Sequence, residues 1–185
     1  MRRLRTLVPL LALPVLGCSA PNPILAAISC PQYAVLYQAS TVTRFAPGAA
    51  QLPANAVLTA AMSDLELACI FDFEQNQTEI DLRFVIGARR GPAAAAGQTQ
   101  QTLPYFVAVL GPDQSMISKE LFQRVVDPGN RPFVNTNIVV SDTVLRLAAN
   151  TQVGQYQVLV GFQLTPEELA YNTAQAGAPV GNPAP

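Results

Sequence analysis

Asp64–Glu74 reads DLELACIFDFE. The odd positions Leu65, Leu67, Cys69, Phe71 and Phe73 are apolar, while Asp64, Glu66, Asp72 and Glu74 are acidic. Apolar residues at every second position line one side of a pleated backbone, so the stretch predicts a half-buried β-strand. After a polar tip at Gln75–Thr78 the alternation resumes, with Ile80, Leu82, Phe84 and Ile86 inward and Glu79, Asp81, Arg83 and Arg89 outward. Two alternating runs around a short polar tip predict an antiparallel hairpin with one solvated face.

Upstream, Tyr33–Phe45 (YAVLYQASTVTRF) is rich in β-branched and aromatic residues, and Tyr33, Val35 and Tyr37 share one side. It predicts one long strand, or two broken near Ala39. A loop with Pro47, Gly48 and Pro53 follows. Downstream, Gly91–Gln101 is a small-residue connection whose four alanines are too few to hold a helix alone. Tyr105–Leu110 is apolar on both faces, which predicts a central strand ending at the Gly111-Pro112-Asp113 turn. Ile117–Val126 fits either period: Ile117, Leu121 and Val125 share one side of a strand and also recur by four, as on a helix. Its neighbours favour a strand. Asp127-Pro128-Gly129-Asn130 is a turn, and Phe133–Val140 and Thr143–Leu147 are two further strand candidates. In Gln155–Leu164 the residues Tyr156, Val158, Val160, Phe162 and Leu164 alternate onto one face.

Thr165-Pro166-Glu167-Glu168 then gives a hydroxyl cap, a proline in the first turn and a glutamate three residues past the cap, which predicts a short helix over Pro166–Tyr171. From Ala174 the sequence AQAGAPVGNPAP lacks apolar periodicity and predicts a disordered tail. About seven strands between Pro/Gly turns, with one short C-terminal helix, predict an all-β protein: an antiparallel β-sandwich, immunoglobulin-like in architecture, with a closed β-barrel as the alternative. No Trp is present, so the Cys, Trp, Cys pattern of true immunoglobulin domains is missing.

The first residues carry an address. Arg2, Arg3 and Arg5 precede an apolar run Leu7–Leu16 that ends in small residues and a cysteine, the layout of a secretory signal peptide. The run is shorter than the 20 or so residues a membrane span needs. Val15-Leu16-Gly17-Cys18 resembles the lipobox of bacterial lipoproteins. That resemblance implies lipidation of Cys18 as the first mature residue, with Ser19 directing the product to the periplasmic face of the outer membrane. Ordinary secretion, with cleavage after Ala20, is the competing reading, and Pro21 just past that cut disfavours it. If Cys18 is consumed by lipid, Cys30 and Cys69 remain as an even pair in an oxidising compartment, and a disulfide is the expectation. Two buried free thiols are the alternative.

The expected organisation is therefore a signal peptide at 1–17, a lipidated tether at 18–29 with a short apolar piece Ile24–Ile28, a sandwich domain at 30–172 and a tail at 173–185. The formal net charge is −1, which offers no basic patch to a phosphate backbone, so nucleic acid is not an expected partner. Charged residues are 12% of the chain and hydrophobic ones 50%, which predicts apolar surface that meets a partner or the bilayer.

The chain has no histidine, which removes Ser-His-Asp and Cys-His nucleophile systems and imidazole metal ligands. The one lysine, Lys119, is not in Ser-x-x-Lys spacing with Ser115 or Ser118. No glycine-rich phosphate loop occurs, and no catalytic residue or cofactor is expected. One constellation has a chemical reading. Asp72, Glu74, Glu79 and Asp81 share the outward side of one hairpin tip, where facing like charges repel and a hard cation such as calcium would relieve them. The plainer reading is a solvated acidic rim partly neutralised by Arg83. Asn76-Gln77-Thr78 matches a glycosylation sequon, for which a bacterial lipoprotein has no expected use. The functional expectation is a non-enzymatic, lipid-anchored interaction or assembly module of the cell envelope, an accessory of an envelope or secretion complex, whose partners are the membrane and an envelope protein. The alternative is a small-ligand or glycan-binding lipoprotein, with Tyr33, Tyr37, Tyr105 and Tyr156 as candidate wall residues.

Overall fold

The computed structural model describes residues 29–72, 74–75, 77–95, 99–146 and 152–176. The signal peptide, Cys18, Ile24–Ile28, Phe73, Asn76, Leu147 and the end of the expected tail lie outside them. The described strands are β1 (Gln32–Val35), β2 (Thr41–Phe45), β3 (Ala56–Asp72), β4 (Gln77–Arg90), β5 (Gln101–Leu110), β6 (Met116–Val126), β7 (Phe133–Arg146) and β8 (Gln157–Phe162), followed by helix α1 (Pro166–Ala176). They form two four-stranded sheets in the orders β1-β8-β5-β6 and β2-β3-β4-β7. The protein is a β-sandwich and not a closed barrel. Every pairing is antiparallel except β1 with β8, which is parallel.

The core is built from the period-two pattern. Ile80, Leu82, Phe84 and Ile86 of β4 are buried as the alternation predicts, against Val107 and Val109 of β5 and Val158, Val160 and Phe162 of β8. Tyr105 completes it, with its ring edge-on to Phe84 at 5.5 Å and stacked on Phe122 at 5.2 Å. β5 is central, paired with β6 on one side and β8 on the other.

β3 begins well before the stretch that first identifies it. Over Ala56–Met62 the even residues are buried, and over Leu65–Phe71 the odd ones are half-buried. The phase changes because a bulge interrupts the ladder: Ser63 pairs with Val85 and Glu66 with Arg83, so three steps on β3 oppose two on β4. Asp64 sits there at φ 52°, a conformation that Asp tolerates better than most residues. One inserted residue exchanges the two faces of a strand, which hides a single strand from a search for unbroken alternation.

The expected long segment Tyr33–Phe45 is two strands in different sheets, separated by a 3-10 turn at Tyr37–Ala39. Phe133–Val140 and Thr143 onward, expected as two strands, are one. β7 runs through a second irregularity, where Val140 pairs with Leu82 and Thr143 with Ile80. Ile117–Val126 is a strand, as its neighbours imply.

The helix is longer than the sequence predicts. Thr165 caps it as expected: the Glu168 N–H donates to Thr165 Oγ1 at 3.2 Å, and the Thr165 N–H donates to Glu168 Oε2 at 2.9 Å. α1 then continues to Ala176, so the start of the expected disordered tail, 173–176, is helical. Tertiary contacts supply what periodicity did not. Arg44 pairs with Glu168, and Asn172 Nδ2 donates to the carbonyls of Gln38 and Thr41 at 2.9 Å each. These contacts cover the outer edge of β2, which otherwise offers unpaired backbone.

Gly161 of β8 lies opposite Phe106. A Cβ there would come within 2.8 Å of Ala39 Cβ and 3.0 Å of the Phe106 ring. Gly161→Val is expected to destabilise the fold by about 1–3 kcal/mol through overpacking, read as a lower thermal midpoint. An unchanged midpoint contradicts this packing.

Candidate functional site

Cys30 precedes β1 in one sheet and Cys69 belongs to β3 in the other. Their sulfurs are bonded, with Cα atoms 5.9 Å apart. The inward side of β3 leaves Cys30 two approaches, across the core or from a neighbouring strand, and the topology takes the first.

Asp72, Glu79 and Asp81 share the outward side, as predicted, while Glu74 lies in the turn, and none of the three strand acids directly opposes another. Glu79 lies opposite Ile70, Asp81 opposite Ala68 and Asp72 opposite Gln77, while Arg83 lies opposite Glu66. Asp72 uses Oδ1 to accept the N–H groups of Glu74 and Gln75, each at 3.0 Å, and so shapes the turn. No two of these carboxylates are directly opposed in this register, and Asp72 lies only diagonal to Glu79. Among the described residues no three His, Cys, Asp or Glu side chains converge as a metal site.

The nucleophile candidates are also engaged elsewhere. Lys119 Nζ donates to Gln163 Oε1 at 2.8 Å and lies 4.5 Å from the centre of the Phe106 ring. Ser115 Oγ donates to Asp113 Oδ1 at 2.7 Å, which with the Ser115 N–H holds that carboxyl below its ordinary value. Asp127 is held low in the same way, first by the Thr99 hydroxyl at 2.6 Å and then by the Gly129 N–H. Both carboxylates organise turns.

The four tyrosines do not share one cavity. Tyr105 is a core residue, and its phenol is pushed up by burial. Tyr33 is exposed on β1, and Tyr156 borders a polar depression with Gln32, Gln114 and Gln157. Tyr37 does wall a groove of about 390 Å³ together with Tyr171, which the sequence did not single out because it falls on the helix. Ser40, Thr41, Thr43, Thr59 and Asn172 also line it, and no charged side chain does.

The outer face of β1-β8-β5-β6 is different in kind. Because β5 is apolar on both faces, Phe106 and Ala108 point away from the main core and form a second small cluster with Ala39, against which Leu164 packs. Beside it lies a mainly apolar groove of about 280 Å³, walled by Leu36, Met116, Leu159, Leu164 and Leu169, with Gln38, Lys119 and Gln163 also in its lining. The wall continues onto β6, where Met116, Ile117, Leu121 and Val125 are 62%, 52%, 64% and 50% exposed. The side that Ile117, Leu121 and Val125 share is therefore turned to solvent.

No protein-family model matches the chain, and no curated protein is similar to it.

Proposed function

We propose that this chain is a non-enzymatic interaction module of a bacterial cell envelope, tethered by lipid on Cys18 to the periplasmic face of the outer membrane, and that it receives an apolar segment of an envelope protein. One observation carries the contact half of this reading: the apolar groove beside Phe106 and Ala108, continuous with exposed side chains of β6. A surface of this kind is costly to leave in water, and it marks a place where another molecule sits. The tether half rests on Val15-Leu16-Gly17-Cys18. About twelve extended residues between Cys18 and Cys30 would let the sandwich stand up to about 40 Å from its anchor.

Fractionation of cells carrying the full chain tests the tether. The parent chain is expected in the outer-membrane fraction and Cys18→Ser in the soluble periplasmic fraction; identical distributions contradict the anchor.

A second reading has one observation in its favour, the uncharged groove between Tyr37 and Tyr171 with its hydroxyl and amide walls. Stacking rings and neutral hydrogen-bonding groups suit a glycan. Saturable binding of neutral oligosaccharides that is lost in Tyr171→Ala would favour this reading over the first.

A further inference from the structure

β6 buries very little for a strand of its length. Nine of its eleven residues are exposed; only Phe122, half-buried, and Val126 turn toward the core. Both of its faces are open. Ser118, Glu120 and Arg124 on the inner side are exposed along with Leu121 and Val125 on the outer side, so β6 projects past the opposite sheet. Its far edge has no partner strand among the described residues. A long, exposed, partly apolar edge is a template for another strand. The other long edge, β7, is differently placed. Its inward Ile138 and Val140 lie buried beneath the facing sheet, and the Phe133 ring already lies over Gly87.

We propose that β6 pairs with β6 of a second copy of this chain, antiparallel about a two-fold axis that passes beside Leu121, and joins two four-stranded sheets into one of eight. The strand's own sequence, MISKELFQRVV, favours this register over centres on Lys119, Glu120 or Phe122. A two-fold axis perpendicular to the sheet keeps outer face beside outer face, so one residue must oppose its own copy. With Lys119 or Glu120 on the axis, like charges meet directly and repel. With Phe122 on the axis, Leu121 meets Gln123 and Val125 meets Lys119.

Leu121 is the middle residue of β6, so with it on the axis the overlap is longest; a bulge at Ile117, where Val109 pairs with Ser118 and Leu110 with Met116, leaves only Met116 and Val126 out of the new ladder. Leu121 then meets Leu121, and Ile117 meets Val125 twice, so the exposed apolar row covers itself. Lys119 faces Gln123, Ser118 faces Arg124 and Glu120 faces Phe122. Glu120 lies diagonal to the second copy's Glu120 as well as to its Arg124, so one acidic diagonal is flanked and offset by two opposite-charge diagonals. The pairing uses the strand edge and stands whether or not the groove receives a partner.

Cysteine placement in the full chain, on a Cys18→Ser background, tests the register. Cα atoms directly opposed across an antiparallel pair are about 4.5–5.5 Å apart, within the range a disulfide spans. Leu121→Cys is therefore expected to give a covalent dimer under mild oxidation. Val125→Cys is expected to form no covalent dimer, since its copy lies eight residue steps along the strand, about 27 Å away. Mixing Ile117→Cys with Val125→Cys should restore a link. In sedimentation velocity the parent chain is expected as a dimer and Leu121→Lys as a monomer. A parent chain that sediments only as a monomer, or linking of Leu121→Cys no faster than Val125→Cys or an exposed β7 control, Asn137→Cys, overturns the proposal. The cysteine comparison decides the matter even where Leu121→Lys fails to fold.

Discussion

Reducing the Cys30–Cys69 disulfide lowers the unfolding free energy by about 4 kcal/mol and the melting temperature by about 10 °C. The two residues are 39 apart in sequence, and the cross-link removes the freedom of a loop of that length from the unfolded chain. It also ties the start of β1, a four-residue strand held by one parallel pairing, to the longest strand of the opposite sheet. Thermal melts with and without reductant measure the effect. Cys69→Ser is expected to melt at the lower temperature in both conditions. A parent chain whose midpoint ignores reductant contradicts the cross-link's role.

Phe84→Ala is expected to cost about 3–5 kcal/mol, close to the whole margin of many domains. Phe84 is 1% exposed at the middle of β4, with Tyr105 edge-on against it and Ile138 of β7 paired beside it. Removing the ring loses its transfer free energy and leaves a cavity between sheets that strand pairing holds apart. Urea unfolding reads the change as a lower midpoint at constant slope. Leu121→Ala, on the exposed edge, is expected within about 0.5 kcal/mol of the parent in monomeric protein. Similar losses for the two would mean that the core is not where β4 places it.

What the sequence revealed and concealed follows from how each signal is encoded. The alternation of Ile80 to Ile86 and of Val158 to Phe162 is local, and its burial is as expected. The capping box at Thr165 and Glu168 is equally local and was readable for that reason. The bulge at Asp64 was not, because it shifts the pattern by one residue and makes the first half of β3 look unrelated to the second. The last turns of α1 depend on Asn172 reaching the carbonyls of Gln38 and Thr41, a contact more than a hundred residues distant in sequence.

The site was harder still. Ile117, Leu121 and Val125 announced an apolar side, but which side faces solvent depends on how far the opposite sheet extends. The four acids announced a charged rim, yet the register sets Ile70 and Ala68, not carboxylates, opposite Glu79 and Asp81. Tyr171, beside Tyr37, became visible only once the helix was folded against β2.

On the proposed function, the outer face of β1-β8-β5-β6 is where an envelope protein sits. Site-specific photo-cross-linking in intact envelopes addresses it most directly, with the reactive side chain placed at Leu159 in the apolar groove or at Asn135 on the outer side of the opposite sheet. The prediction is a discrete protein adduct from position 159 and none from position 135. No adduct from 159, or equal adducts from both positions, would contradict it.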